Sequence, residues 1–556
     1  MISSFRLKFG RSPGTAAETI PATPVTVFVG PNNSGKSKVL REIEAYCRNG
    51  YKDAQAVVLE ELAFAGLPAD QAATAIEHIR HPPNPSESVG VDHVIVGSRH
   101  GRMHIAAAPL LAAVQDPTHN VQQFCQWFLT HSTLLLDGRG RINLMDSQPS
   151  GDLQMPPQTS FQVLFRDDKK RNEVRRIVSE AFGAYFVLDP TGFTQLRARL
   201  SGTTPASEIQ ERGIHEDAVE FHKRALPVEL ASDGVKAFVG IITELIAGDP
   251  RILLVDEPEA FLHPSLASKL GNEVSRAALA ADKRVFVSTH SPSFVMGCIE
   301  SGATVNIVRL TYRAGVATAR LLPSAEILQL MRNPLLRSTG VLNGLFYEFV
   351  VVTESDADRA FYQEMNQRLL RFKPDWGIPN CLFINAQNKQ TVHTIIRPLR
   401  QLGIPAAGIV DVDVLKEGGV PWTNLLSGAS IPGIAHAGMA TMRAAIKNAM
   451  DATGKEMKKD GGIAILNAPD REAADTLLSQ MREYGVFVLP GGELESWVKG
   501  LGVAKHGPAW LIEVFEKMGE DPDHPAYVKP AADDVWAFIF GLKNWLINPA
   551  RKGIPA

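Results

Sequence analysis

Three stretches of this chain carry residue types that bind and split a phosphoanhydride. The first, Gly30-Pro-Asn-Asn-Ser-Gly-Lys-Ser37, fits G-x-x-x-x-G-K-[ST]. Gly30 and Gly35 let the backbone close, the loop of Asn32, Asn33 and Ser34 cradles phosphates, Lys36 reaches the β- and γ-phosphates, and Ser37 binds Mg²⁺. The second, Ile252-Leu-Leu-Val-Asp-Glu-Pro-Glu259, runs four apolar residues into adjacent acids. There Asp256 would hold the magnesium through water, and Glu257 would orient or deprotonate the attacking water. The third, Arg284-Val-Phe-Val-Ser-Thr-His290, ends in a histidine that can contact the γ-phosphate. ATP with Mg²⁺ is the expected cofactor.

Positioning these groups takes a parallel sheet. Val25–Val29 predicts a buried strand before the loop, and the residues from Ser37 onward predict a helix after it. The run before Asp256 predicts a central strand, which puts the acids at its carboxyl end, where open α/β sheets bind ligands. Between loop and acids, Leu230-Ala-Ser-Asp-Gly-Val-Lys236 resembles the signature turn of ABC-type ATPases. That resemblance implies that Ser232 and Gly234 contact the γ-phosphate of ATP held by a second subunit, so the expected ATPase is a homodimer or higher homo-oligomer through its heads. Taken alone, a Ser-Asp-Gly turn is an ordinary helix cap.

A second set of acids follows. Phe349-Val-Val-Val-Thr353 predicts a strand that ends in Glu354-Ser-Asp-Ala-Asp358, and Ala407-Gly-Ile-Val410 feeds Asp411-Val-Asp413. If this segment stays extended, Asp411 and Asp413 point to one side and can share a metal. Gly491-Gly-Glu-Leu-Glu495 after Val486–Leu489 adds a third acidic position, Glu495 or Glu493. Hard carboxylate oxygens in such a cluster suit two Mg²⁺ or Mn²⁺ ions acting on a phosphodiester. Acids at strand ends can also be solvated turns.

A glutamate at one strand end and Asp-x-Asp at another resembles the Toprim nucleases of the OLD (overcoming lysogenization defect) family, in which an ABC-type ATPase precedes a Toprim domain. The Gabija nuclease subunit belongs to the same group, and PARIS-type defence systems pair similar parts. The resemblance implies Glu354 and Asp358 as the first motif, Asp411 and Asp413 as the second, and Glu495 ahead of Glu493 as the third. Glu354, Asp411 and Asp413 would be catalytic as well as metal-binding. The family's first glutamate is usually followed by glycine; here Ser355 stands there.

The rest of the chain bounds this reading. Its 556 residues suffice for several domains, and a net charge of −3 argues against a wholly basic nucleic-acid coat. Cys47, Cys125, Cys298 and Cys381 have no zinc or redox spacing, which suits a reducing cytoplasm. No apolar run approaches a membrane span, so no membrane association is expected. Residues from about 50 to 225 read as insertions: a helix over 53–80, a Pro-rich loop at 81–85, strands at 94–96 and 103–106, and a helix over 120–130. No heptad run predicts a long coiled-coil arm. His78 and His81 read as packing or surface residues. Lys389, Arg397, Arg400, Lys455, Lys458, Lys459, Arg551 and Lys552 could follow a phosphate backbone, and 535–545 reads as core. Residues 323–346 carry a helix and then a hinge at 333–340.

The expected fold is α/β: an ABC-type P-loop ATPase head over 1–335 with inserted helical and β segments, then a Toprim-like α/β domain over 345–556. The expected function is an ATP-regulated, metal-dependent endonuclease in anti-phage defence. It would act on nucleic acid, DNA in preference to RNA, with a companion defence protein as a further partner. The alternatives are a nucleotide-gated sensor or scaffold whose Toprim domain only binds a partner, and an SMC-like DNA-repair ATPase.

Overall fold

The computed structural model describes residues 1–83, 87–98, 101–248 and 250–555. The chain divides into two compact units, Met1–Leu328 and Gln329–Ala556. Both are α/β.

In the first unit a six-stranded sheet runs in the order Val316–Leu322, Val305–Arg313, Val25–Val29, Arg284–Ser288, Ile252–Asp256, Thr133–Leu136. All neighbours are parallel except the first pair, which forms a hairpin. The strands Val25–Val29, Ile252–Asp256 and Arg284–Ser288 are apolar and almost wholly buried, as a sheet covered on both faces requires. Their order puts the histidine strand between the phosphate-loop strand and the Asp-Glu strand, so three loops leave one edge side by side. Phe28 and Phe286 pack against Phe5 with ring centroids 6.1 and 5.9 Å away.

The insertions build separate small sheets. Thr19–Pro21, Ile2–Leu7 and Leu59–Phe64 form one, and Gln195–Ser201 pairs with Tyr185–Asp189, Leu226–Pro227 and Gln148–Pro149 in another. Within the second, fully buried Asp189 is held by Arg197 at 2.8 Å and Arg199 at 2.6 Å. A hairpin of His93–Ser98 and Gly101–Ala106 occupies the expected strand region.

The helix expected over 53–80 is corrected. Leu59–Phe64 is a strand, and only Ala69–Ile79 is helical. Alternating Leu62 and Phe64 enter the core beside Ile2–Leu7, while the Glu42 carboxylate accepts the N–H groups of Val57, Val58 and Leu59 at 2.8, 3.0 and 2.7 Å. That long-range carboxylate cap has no local sequence signature. The Pro-rich loop at 81–85 lies partly outside the described residues. In the 120–130 region Asn120 caps a helix that continues as a π-turn over Cys125–Leu129. The hinge expected at 333–340 contains a short helix, Pro334–Ser338.

In the second unit four parallel strands run in the order Cys381–Asn385, Phe349–Thr353, Ala406–Val410, Val486–Val488. Helix Asp356–Phe372 follows the first of these in sequence, and helix Asp534–Ile547 buries Val535, Trp536, Ile539, Leu542 and Trp545, so 535–545 is core. The longest helix among the described residues is Gly433–Ala452, at 20 residues, and none is long and apolar enough to cross a membrane.

Two candidate active sites

The first site lies at the carboxyl edge of the six-stranded sheet. Gly30 has φ 142°, and a Cβ there would lie 2.0 Å from the Leu310 carbonyl oxygen, so the loop admits only glycine. Helix Lys36–Asn49 begins directly after Gly35. Asn32 and Asn33 are exposed, Asn33 in the left-handed region at φ 61°. Lys36 is buried and its ammonium donates to the Gly30 and Pro31 carbonyls at 2.9 and 2.8 Å. Burial lowers its pKa to about 8 against the opposing pull of Glu257, Asp256 and Glu259. Ser34 is buried with an unpartnered hydroxyl, a donor that suits a phosphate oxygen. Ser37, half-buried, sits in the first helical turn.

Asp256 accepts a hydrogen bond from the Ser288 hydroxyl, its register partner on the histidine strand. At Glu257 the chain leaves the strand with φ 51°, and its N–H donates to the Ser288 carbonyl at 2.8 Å. Buried Arg141 donates to the Glu257 carbonyl. The turn presents the Glu257 carboxylate to His290, Oε1 to Nε2 at 3.8 Å. Burial, then the Lys36 charge, lowers the His290 pKa and favours the neutral ring. The His290 N–H donates to Glu259 Oε1 at 2.7 Å, and burial raises the Glu259 carboxyl.

Ser232 caps helix Asp233–Ile246 without a side-chain capping bond. Gly234 abuts the segment after Glu257: a Cβ there would lie 2.5 Å from the Phe261 carbonyl oxygen. Leu230 and Phe261, 73% and 70% exposed, flank this turn. Sequence reasoning missed Arg141, Ser288 and Glu259 as parts of the site. Glu259 stood within the quoted motif, and Ser288 was readable only as the register partner of Asp256. Nothing local marks Arg141.

The second site lies in Gln329–Ala556. Glu354 and Asp411 each follow one of two paired parallel strands. The Asp411 N–H donates to Glu354 Oε1 at 2.8 Å. One ligand oxygen from each of Glu354, Asp411 and Asp413 falls within 4.8 Å of the others. The extended geometry expected for Asp411-Val-Asp413 is corrected: the strand stops at Val410, and Val412–Lys416 is a 3₁₀ turn with Asp411 at its N-cap. Buried Val412 pins that reversal by donating to the Gly492 carbonyl at 3.0 Å. Convergence is therefore made by a turn rather than by strand alternation.

Burial, then the neighbouring carboxylates, raises the Glu354 pKa to about 8; burial raises Asp411 to about 6. Lys458 Nζ lies 2.7 Å from Asp411 Oδ2, and Lys389 Nζ lies 2.8 Å from Asp413 Oδ2. Asp413 Oδ1 is buried and unpartnered, an acceptor that suits a cation. Asp358 stands outside this trio. Its Oδ2 accepts from the Ser355 N–H at 2.9 Å and the Ser355 hydroxyl at 2.8 Å, while Ser355 Oγ accepts from the Asp358 N–H at 3.2 Å. Ser355 thus builds a reciprocal helix cap. Glu495 groups with Glu493 and His506, ligand atoms again within 4.8 Å.

The basic set is redistributed. Lys389 and Lys458 face acids of the site, and Lys552 pairs with Glu483 at 2.6 Å. Arg400 is corrected to a core residue: it is 0% exposed and donates to the carbonyls of Ala406, Ala429, Gly485 and Gly553. His78 and His81 line a cavity of about 320 Å³ with His131, and no three-ligand metal set is found there among the described residues.

Residues 161–296 match the family described as "AAA domain, putative AbiEii toxin, Type IV TA system". The match spans Ser232, Gly234, the Asp256-Glu257 strand and His290, and supports an ATPase domain. It begins downstream of the phosphate loop. No curated protein matches the sequence. Among solved structures, an SMC head bound to the C-terminal winged-helix domain of ScpA is 14% identical with TM-score 0.33, covering 59% of this chain and 99% of that one. The SMC head domain from Thermotoga maritima is 15% identical with TM-score 0.29, covering 58% and 99%. An SMC head with an extended coiled coil from Pyrococcus furiosus, bound to the C-terminal domain of ScpA, is 14% identical with TM-score 0.28, covering 60% and 98%.

Proposed function

We propose that this protein is an ATP-regulated, metal-dependent endonuclease: an ABC-type ATPase head that dimerises around ATP and controls a Toprim-like phosphodiesterase, serving in anti-phage defence. The observation that carries the nuclease half is the convergence of Glu354, Asp411 and Asp413 within 4.8 Å at the ends of two paired parallel strands.

At the ATPase site, Lys36 and the loop N–H groups would hold the triphosphate, while Ser37 would hold Mg²⁺ directly and Asp256 through water. Glu257 accepts a proton from the attacking water, as its bonded turn at Ser288 and Arg141 fixes its direction. Neutral His290 donates to the γ-phosphate, and Glu259 fixes the backbone from which it projects. In a head dimer, Ser232 and Gly234 would complete the partner's γ-phosphate site, with exposed Leu230 and Phe261 supplying apolar contact.

At the acid cluster, Glu354, Asp411 and Asp413 fit Mg²⁺ or Mn²⁺ by their oxygen donor set and by the unpartnered Asp413 Oδ1. Bound there, such ions activate water and stabilise the leaving oxygen of a phosphodiester. Lys458 and Lys389 balance the crowded carboxylates and can meet the phosphate charge of a nucleic-acid strand. One experiment separates the two halves: ATP hydrolysis and plasmid cleavage measured in parallel for wild type, Glu257→Gln and Glu354→Ala. The first variant should lose hydrolysis, and the second should lose cleavage while hydrolysing ATP normally. If Glu354→Ala cleaves like wild type, the assignment of cleavage to this cluster fails.

The same lysine pairing favours one second reading, a nucleotide-gated sensor whose acid-bearing unit binds a partner without cutting, because two ammoniums already neutralise two of the acids.

A further inference from the structure

The turn that brings Asp411 and Asp413 to Glu354 is tied at both ends by residues distant in sequence. Val412–Lys416 is a 3₁₀ turn of five residues capped by Asp411, and the Val414 N–H closes it on the Asp411 carbonyl at 3.2 Å. So short a turn has little stability of its own and leaves its last carbonyls without partners inside it. Its start is held by the Val412 N–H on the Gly492 carbonyl at 3.0 Å. Its end is held by Arg443, 28 residues downstream, whose Nη1 donates to the carbonyl of buried Leu415 at 2.8 Å. Asp413 lies between the two ties.

Arg443 is itself firmly seated. It stands on helix Gly433–Ala452, four residues after buried Met439 and three before buried Ile446, so it shares the inward face of that helix. Its guanidinium lies over the Trp422 ring, 5.9 Å from the centroid, and Trp422 is buried in helix Val420–Gly428. Gly418 leaves room beside it: a Cβ there would sit 3.2 Å from Nη2. A planar fork packed on an aromatic face keeps its direction better than a flexible ammonium does.

We propose that Arg443 is a positioning residue of the acid cluster: by holding the Leu415 carbonyl it fixes the turn on which Asp411 and Asp413 converge with Glu354, and so sets the affinity of the cluster for a divalent ion. The inference rests on the metal-binding reading of that cluster. In sequence, an arginine within an amphipathic helix reads as an ordinary solvated charge, and only the long-range bond to Leu415 distinguishes this one.

The test is a Mn²⁺ titration of the full chain followed by electron paramagnetic resonance, without nucleotide, with the melting temperature of each variant measured alongside. Glu354→Ala should lose the Mn²⁺ that wild type binds, which assigns that ion to the cluster. Arg443→Met should bind it at least about tenfold more weakly, the scale of lost support around a metal ligand. Arg443→Lys keeps a donor without the planar fork and should fall between Arg443→Met and wild type. Arg368→Met controls for loosening alone, because the Arg368 guanidinium donates to the carbonyls of Met518, Gly519 and Val528 in the same unit; it should lower the melting temperature and leave Mn²⁺ affinity unchanged. Where Arg443→Met does not fold, Arg443→Lys decides by its own comparison with wild type. Wild-type affinity in the deciding Arg443 variant, or an equal loss in Arg368→Met, would overturn this inference while the loss in Glu354→Ala leaves the cluster standing. No Mn²⁺ on wild type, or binding that Glu354→Ala leaves intact, would instead overturn the cluster reading and this inference with it.

Discussion

The backbone N–H of Asp411 donates to the side chain of Glu354 at 2.8 Å, so one strand end holds the carboxylate of its neighbour. The bond fixes Glu354 among like charges, and burial followed by those charges raises its pKa to about 8.

That shift has a pH signature. Glu354 keeps a proton in the folded chain that the unfolded chain loses above the ordinary value of 4.5. Stability contributed by this proton is present below that value and declines as pH rises toward 8, by up to about 1.4 kcal/mol per pH unit for one full proton. Asp411, raised to about 6, declines in the same direction at lower pH. Melting temperature without divalent ions should therefore fall from pH 5 to pH 8. Added Mg²⁺ or Mn²⁺ should restore more at pH 8 than at pH 5, and Glu354→Gln should flatten the profile. Equal metal effects at both pH values would argue against a metal role for Glu354.

Glu257→Gln keeps the side chain's shape and removes the base. ATP hydrolysis should fall by about 10²–10⁴-fold while ATP affinity, followed by equilibrium binding, stays near wild type. Loss of both together would mean that Glu257 shapes the pocket rather than accepting a proton.

Glu259→Leu should act through His290, because it strands the N–H that Glu259 accepts at 2.7 Å. The expected cost is about 1–3 kcal/mol of stability, with kcat lowered more than KM is raised. Glu259→Gln keeps an acceptor and should recover much of kcat. If the two variants are equal in kcat, Glu259 does not position His290.

How far the sequence carried the site depends on whether a residue's role is local. The phosphate loop and the Asp256-Glu257 strand were legible because their roles are local: phosphate binding fixes four residue types within eight consecutive positions, and the acids close one apolar run. Asp411 and Asp413 were found for a reason that the fold does not use: alternation presumed an extended chain, whereas the Val412–Gly492 bond turns it into a 3₁₀ segment. Leu59–Phe64 was read as helix because its partner strand lies at the amino terminus and its carboxylate cap comes from Glu42. Arg400 looked like a surface cation because its carbonyl partners are spread from Ala406 to Gly553. Long-range partners of this kind leave no local pattern.

Arg400 yields a stability prediction of its own. Burial lowers its pKa to about 9, and Arg400→Met leaves buried carbonyls without their donor. The variant should lose more than about 2 kcal/mol of stability, read by urea unfolding. If it unfolds like wild type and only nucleic-acid affinity falls, Arg400 is a surface contact after all.

The central claim is tested by incubating the purified full chain with plasmid DNA and with tRNA, in Mg²⁺ or Mn²⁺, with and without ATP, beside Glu354→Ala and Asp411→Ala. The account predicts metal-dependent cleavage by wild type, with DNA the preferred substrate and the yield altered by ATP, and loss of cleavage in both variants. Cleavage of neither substrate by wild type, or equal cleavage by the variants, would contradict it.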